Sequence, residues 1–338
     1  MRENNSLITV IMSTYNTNDS YLLKAVDSIV GQTYKNIELI VIVDGGEYDG
    51  CLSKINDKRL RVVVHENSLG LATRLNEAIK MARGKYVARM DSDDYALPNR
   101  LEKQYGFMER HPEIDVCGMF ARKFGAEKKA LISVNTSSRY IETELFINNV
   151  LWHPTIMLRR STISKYNIEY NENFSCAQDY ELWSRLCGIV KFAIIPEVGL
   201  LYRVHDGQIS KSKRKKQIEF RNEIITNNMS RLKLVKNDFK YIEMLIDPGV
   251  GLKFDGLIDF IKRVLEKNKS FRVYDQKALK NIMYERLFVV LLRNHRIRLS
   301  IKYLRPYIIR YAFKKKFFAL RARIRTYNYF KKYKNEGD

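Results

Sequence analysis

The chain has 338 residues, of which 45% are hydrophobic and 12% aromatic, enough for one large core or two modest ones, so general disorder is excluded. A formal net charge of +22 points to a polyanionic partner: nucleic acid, an anionic membrane face or phosphorylated substrates. Cys51, Cys117, Cys176 and Cys187 form no CxxC pair and no disulfide-dense scaffold, which fits a reducing compartment.

Residues 1–6 lead directly into an apolar strand without a signal peptide, and no apolar run reaches membrane-spanning length, so the expected location is cytoplasmic. Residues 7–12 predict a buried strand, followed by the polar turn Ser13-Thr14-Tyr15-Asn16 and a helix over 19–30. Further strands are predicted over 37–43, ending at Asp44-Gly45-Gly46, and over 61–64. A helix over 71–82 then ends near Gly84, where a fourth strand begins. Alternating strands and helices predict an α/β fold with a mostly parallel, covered sheet. Ligands bind such sheets at the carboxyl ends of the strands, where Thr14, Asp44, Asn67 and Asp91 all fall.

The fourth strand delivers three carboxylates in four residues, Asp91-Ser92-Asp93-Asp94. In extended chain Asp91 and Asp93 face one point while Asp94 begins the turn. Like charges so close repel, and a divalent cation is the cheapest way to keep them ionised. Oxygen donors without a thiolate favour Mg²⁺ or Mn²⁺, ions that usually bridge to substrate phosphates. A solvated acidic turn is the plainer alternative. Neither a GxGxxG turn nor a GxxxxGK[ST] loop occurs, so a dinucleotide fold and a P-loop are excluded.

Four stretches in order, Ile11-Met12-Ser13-Thr14-Tyr15-Asn16, Ile40-Val41-Ile42-Val43-Asp44-Gly45-Gly46, Asn67-Ser68-Leu69-Gly70-Leu71-Ala72 and Met90-Asp91-Ser92-Asp93-Asp94, resemble a family 2 glycosyltransferase with the GT-A fold, over about residues 6–210. The resemblance implies a nucleotide-sugar donor, Mn²⁺ or Mg²⁺, and inversion at the anomeric carbon. The second turn departs from the family's usual Asp-Asp-Gly-Ser, since Asp44 stands alone before Gly45-Gly46. The donor half is expected over 1–110 and the acceptor half over 111–210. On the donor side Thr14 lies at a strand end, Tyr15 lies against a base or packs on the first helix, and Asp44 accepts from a base N–H or a ribose hydroxyl. Arg74 reaches base or phosphate, or sits on a solvated helix face. Asp91 is expected on ribose, and the resemblance puts Asp93 on the metal.

On the acceptor side, Trp152-His153-Pro154 precedes a strand over 155–158, and Trp152 with His153 either stacks on a sugar or belongs to the core. Asp179, in Cys176-Ala177-Gln178-Asp179-Tyr180, matches the aspartate that is the catalytic base in the family's Glu-Asp motif, with Gln178 replacing the usual Glu; a helix cap is its plainer role. The stretch around Arg203 and His205 resembles the family segment that folds over the donor, which implies His205 on the metal and Arg203 on the diphosphate.

Residues 211–338 are expected to form a basic helical region. Between 301 and 335 there is no acidic residue, and twelve Lys or Arg alternate with ten Tyr or Phe. An apolar stripe of Phe313, Phe317, Leu320 and Ile324 flanked by lysine and arginine predicts a helix lying on an anionic membrane surface, or one packed on its own domain. The leading reading is an inverting glycosyltransferase at the inner membrane face, acting on a saccharide or lipid-linked acceptor. A nucleotidyltransferase lacks its basic glycine-rich loop here. A nucleic-acid-binding protein leaves the carboxylates unexplained, so nucleic acid is not expected as a partner.

Overall fold

Three strands, β1 (Ile8–Thr14), β2 (Ile37–Asp44) and β4 (Tyr86–Asp91), are nearly continuous apolar runs, and they are buried along almost their whole length, as parallel strands covered on both faces must be. β3 (Leu60–His65) is only partly buried, which matches its place at the sheet edge. This is a computed structural model, and it describes residues 5–125, 130–132, 134–205, 214–249 and 256–294. Helices α1 (Asp19–Val30) and α2 (Leu71–Met81) fall within one residue of their expected bounds. No full helix joins β2 to β3: the connection holds a short 3₁₀ turn, Cys51–Lys54, entered through Gly50 at φ +80 and tied by Cys51 N–H to Asp49 Oδ1 at 2.8 Å. The regular alternation expected from sequence breaks there, because turn-forming Asp and Gly replace an apolar helical stripe.

β5 (Tyr95–Ala96) and α3 (Arg100–Arg110) follow β4, then β6 (Val116–Gly125), β7 (Leu131–Ile132), α4 (Ser138–Glu144), β8 (Met157–Arg159), α5 (Arg160–Tyr166), α6 (Gln178–Leu186) and β9 (Phe192–Val204). The strand order is β3-β2-β1-β4-β8-β6-β9-β5, with β7 beside β6. β1 to β4 run parallel, whereas β8 is antiparallel to both β4 and β6. Register sets the site: Ser13 lies level with Asp91, Thr14 with Val43 and Asp44 with His65. All four carboxyl ends therefore open on one edge, around the β1–β4 junction where strand order reverses. The core beneath is built from Val10, Met12, Leu39, Val41, Ala88 and Met90. β9 slips register against β6 around Pro196, which has no N–H to give the ladder.

The chain divides into two compact units. One comprises residues 1–136 and 151–220, and the other 137–150 and 221–338. The second unit is helical, with α7 (Arg214–Arg231) spanning the division, then α8 (Phe239–Ile246), α9 (Leu257–Phe271) and α10 (Gln276–Arg293). It takes in residues 137–150, grouped by sequence with the preceding half. Tyr140 donates to Glu285 at 3.1 Å, Arg286 pairs with Glu144 at 2.9 Å, and Asn228 Nδ2 donates to the Leu145 carbonyl at 3.0 Å. The basic aromatic stretch over 301–335 lies outside the described residues.

Candidate active site

The loops after β1, β2 and β3 are locked together before any ligand is considered. Asp44 is buried at the end of β2 and accepts four hydrogen bonds, from Ser68 Oγ, Leu69 N–H and Gly70 N–H at 2.8 Å and from Arg74 Nε at 2.6 Å. Burial alone would raise its pKa, but these donors outweigh that and hold it below the usual carboxylate range. Arg74 spends its other nitrogens on Glu77 at 3.1 Å and the Asn67 carbonyl at 2.7 Å. It is neither the solvated residue nor the free phosphate ligand that sequence allowed, because Asp44 draws it inward across the start of α2. Asp44 in turn serves the loop over 68–70 before it serves any base.

Gly45 and Gly46 thread between neighbouring loops. A Cβ on Gly45 would stand 2.7 Å from the Ser68 nitrogen, and one on Gly46 would stand 2.1 Å from Asn16 Oδ1. Asn16 itself sits at φ +49 and accepts the Glu47 N–H at 2.9 Å. The lone Asp44 followed by two glycines thus suits this close approach. Thr14 is buried at the strand end, while Tyr15 is 56% exposed, with its ring edge 3.1 Å from where a Cβ on Gly46 would stand. Thr17 Oγ1 and Ser92 Oγ, 2.8 Å apart, tie this loop to the acidic turn.

The acidic turn brings oxygens of Asp91, Asp93 and Asp94 within 4.8 Å of one another. Asp93 Oδ2 meets His205 Nε2 at 2.9 Å, across a long stretch of sequence. Asp94 is fully buried: Oδ1 accepts the Arg203 N–H at 2.8 Å, and Oδ2 has no partner among the described residues. Burial, reinforced by the Asp91 carboxylate, pushes Asp93 up; burial with Asp91 and Asp93 pushes Asp94 well up. Asp91 pairs with the buried Arg89 guanidinium. Arg203 is built into the same corner, with Nε on the Asp93 carbonyl at 2.7 Å and its guanidinium 4.0 Å from the Tyr21 ring and 4.5 Å from Phe124. An all-oxygen cluster with an imidazole beside it, two carboxylates raised by burial and by neighbouring carboxylates, and a buried unsatisfied oxygen is the donor set a hard divalent cation fits.

Asp179 lies in the first turn of α6, which opens after Ala177 at φ +59. Burial raises the Tyr170 phenol, and the charges of Asp179 and Asp91 add to the rise. His153 takes a core position, one of the two that the sequence left open. It is 7% exposed, its Nε2 meets Tyr170 Oη at 2.7 Å, and burial with the nearby Arg89 charge drives its pKa well below the ordinary value, so it is a neutral core group. Trp152 is partly exposed and stands edge-on to Tyr202 at 5.0 Å, next to Arg203. Sequence reading missed Arg89, Asp94 as a buried oxygen donor, and Tyr170. Strand periodicity would have put Arg89 on the Asp91 face.

The threading of Gly46 has a measurable cost. Gly46→Ala and Gly50→Ala both place a side chain at φ near +80, yet Gly50 has nothing within 4 Å of its would-be Cβ. Each should lose about 1 kcal/mol to backbone strain, with Gly46→Ala losing at least ~1 kcal/mol more in urea unfolding from displacing Asn16. Equal losses in both variants would mean that the Asn16 contact carries no energy.

The family model for glycosyl transferase family 2 matches residues 9–169. The O-antigen biosynthesis glycosyltransferase WbnJ of Escherichia coli is 32% identical over 214 residues, covering 61% of this chain and 83% of WbnJ. A second E. coli protein, the UDP-Glc:alpha-D-GlcNAc-diphosphoundecaprenol beta-1,3-glucosyltransferase WfaP, is 29% identical over 232 residues, covering 63% of this chain and 83% of WfaP. Among solved structures, residues 1–349 of S. aureus TarS in complex with UDP-GlcNAc superpose with a TM-score of 0.57 at 16% identity, covering 82% of this chain and 90% of that one, a likeness of fold. With a GT-A-like sheet whose strand ends carry the acidic turn, and with this extent of shared sequence, the chain belongs to glycosyl transferase family 2 and is a glycosyltransferase.

Proposed function

We propose that this enzyme transfers a sugar, with inversion, from a UDP-sugar to a saccharide or lipid-linked saccharide acceptor in the synthesis of a cell-surface polysaccharide. The observation that carries this reading is the acidic turn at the strand ends, where oxygens of Asp91, Asp93 and Asp94 lie within 4.8 Å of one another and His205 Nε2 meets Asp93 at 2.9 Å, which supports a site for a divalent cation and a nucleoside diphosphate. The roles of WbnJ in O-antigen biosynthesis and of WfaP on a diphosphoundecaprenol-linked sugar support the acceptor class. The complex of TarS with UDP-GlcNAc supports the donor class.

In this mechanism the exposed Tyr15 ring lies against the base, and Thr14 and the loop held by Asp44 and Arg74 shape the nucleoside end. Asp91 accepts from ribose. Asp93 and His205, with Asp94 behind them, would hold Mn²⁺ or Mg²⁺, which when bound supplies positive charge to offset the departing diphosphate. Arg203 adds a fixed cation at the same corner. Asp179, at a helix N-terminus that favours its ionised form, takes the proton of the acceptor hydroxyl as the new glycosidic bond forms on the opposite face from the leaving group. Trp152 offers an aromatic edge for the acceptor sugar.

Asp93→Ala should abolish transfer and most Mn²⁺-dependent UDP binding; UDP affinity that matches the parent with and without Mn²⁺ would overturn the metal assignment. Asp179→Asn keeps the side chain's size in the first turn of α6, where the N-cap is Ala177, but cannot accept a proton. Its donor binding should stay near normal while kcat falls by about 10²-fold or more. Transfer at the parent rate would move the base elsewhere, and a product that retains the donor's anomeric configuration would rule out direct displacement.

No described helix is long and apolar enough to cross a membrane. The basic aromatic composition of 301–335 supports contact with an anionic membrane surface on the cytoplasmic side, each basic residue contributing roughly 1 kcal/mol. Truncation near Ser300 should leave UDP binding unchanged and reduce binding to phosphatidylglycerol vesicles in a salt-sensitive way. Equal vesicle binding with and without 301–338 would refute that contact.

A further inference from the structure

The acidic turn rests on a buried arginine that no step above uses. In β4, Val87, Arg89 and Asp91 share one face, while Tyr86, Ala88 and Met90 point into the main core. Arg89 is 3% exposed; Nη2 pairs with Asp91 Oδ1, and neither Nε nor Nη1 has a hydrogen-bond partner among the described residues. Its backbone is held on both sides, N–H to the Ile156 carbonyl at 2.9 Å and carbonyl from Arg100 Nη2 at 2.7 Å. Arg100 is a second buried guanidinium, which makes a further positive charge here more costly.

Among the described residues, Arg89 has no second anion at hydrogen-bond range. His153 and Tyr170, both within its field, satisfy each other at 2.7 Å, and Asn76 clamps the Tyr170 backbone with bonds of 2.7 and 2.9 Å. Stability is a weak account of such a residue, because the cost of desolvating a buried ion pair often equals or exceeds what its attraction returns. What Arg89 does have is a single carboxylate partner, partly open to the site, with one oxygen taken and one left over.

We propose that Arg89 is a positioning residue for donor binding: by fixing Oδ1 of Asp91 from behind, it leaves Oδ2 presented to the donor and offsets the repulsion among Asp91, Asp93 and Asp94. A planar, permanently charged guanidinium suits this task, since it orients a carboxylate as an ammonium cannot. The proposal rests on the donor reading of the acidic turn, and it deepens that reading by separating the group that touches the donor, Asp91, from the group that aims it.

The test is a double-mutant cycle on the full chain, with UDP in saturating Mn²⁺ as the probe, calorimetry as the readout and circular dichroism to verify folding. Arg89→Met should weaken UDP about 10- to 100-fold in the parent background, the range expected when a binding group is misplaced by about 1 Å. In an Asp91→Asn background the same change should cost less than about 3-fold, because Arg89 acts through Asp91. Arg89→Lys should recover part of the affinity and, should Arg89→Met not fold, it serves in the same cycle with a loss confined to the Asp91 background. Unchanged UDP affinity, or equal losses in both backgrounds, would overturn the proposal. A parent chain that does not bind UDP would overturn the donor reading with it, whereas parent binding with an indifferent Arg89 variant overturns this proposal alone.

Discussion

Three carboxylates whose oxygens lie within 4.8 Å of one another are the constraint to which the rest of the first unit responds. At an effective dielectric of about 20, each such pair repels by roughly 3–4 kcal/mol, so three ionised pairs approach the whole stability of an ordinary domain. The chain answers from behind and from the side. Arg89 lies under Asp91, the Arg203 N–H and guanidinium brace Asp94 and Asp93, and His205 meets Asp93 from the end of β9. Even so, Asp93 and Asp94 stay raised, chiefly by burial. A site that holds charge in this frustrated state gains most from a cation and a diphosphate arriving together.

The rest of the strand-end edge is cross-tied by bonds within the protein. Asp44 and Arg74 close the start of α2, Gly45 and Gly46 let two loops approach within van der Waals contact, and Thr17 with Ser92 joins the first loop to the acidic turn. Groups fixed in advance need no ordering at the moment of binding, which is where a preorganised site gains affinity and rate. Asn76 of α2 likewise pins the Tyr170 backbone, and His153 Nε2 meets the Tyr170 hydroxyl at 2.7 Å.

Much of this was legible in the sequence, and the limits have physical causes. Strands and helices of the parallel half fell close to their expected bounds because apolar periodicity is strong there; the link between β2 and β3 did not, because Asp49 and Gly50 turn the chain before a helix can start. Asp91, Asp93, His205 and Arg203 could be singled out by motif, and the fold brings them into one corner. His153 could not be judged from its neighbours in sequence, since its burial against Tyr170 is a tertiary fact. Arg74 likewise could be read as a base or phosphate contact or as a solvated helix-face residue, and its pairing with the buried Asp44 is again a tertiary fact. Residues 137–150 join the second helical unit through partners more than 80 positions away, a pairing that local pattern does not encode.

The central claim is that the acidic turn is a joint site for a divalent cation and a nucleoside diphosphate, so the most direct measurement is the thermodynamic coupling between them. UDP should bind the full chain at least about 10-fold more tightly in saturating Mn²⁺ than in chelator, and UDP should raise Mn²⁺ affinity by the same factor, because linkage is reciprocal. UDP affinity that does not respond to Mn²⁺ or Mg²⁺ at any concentration would contradict it.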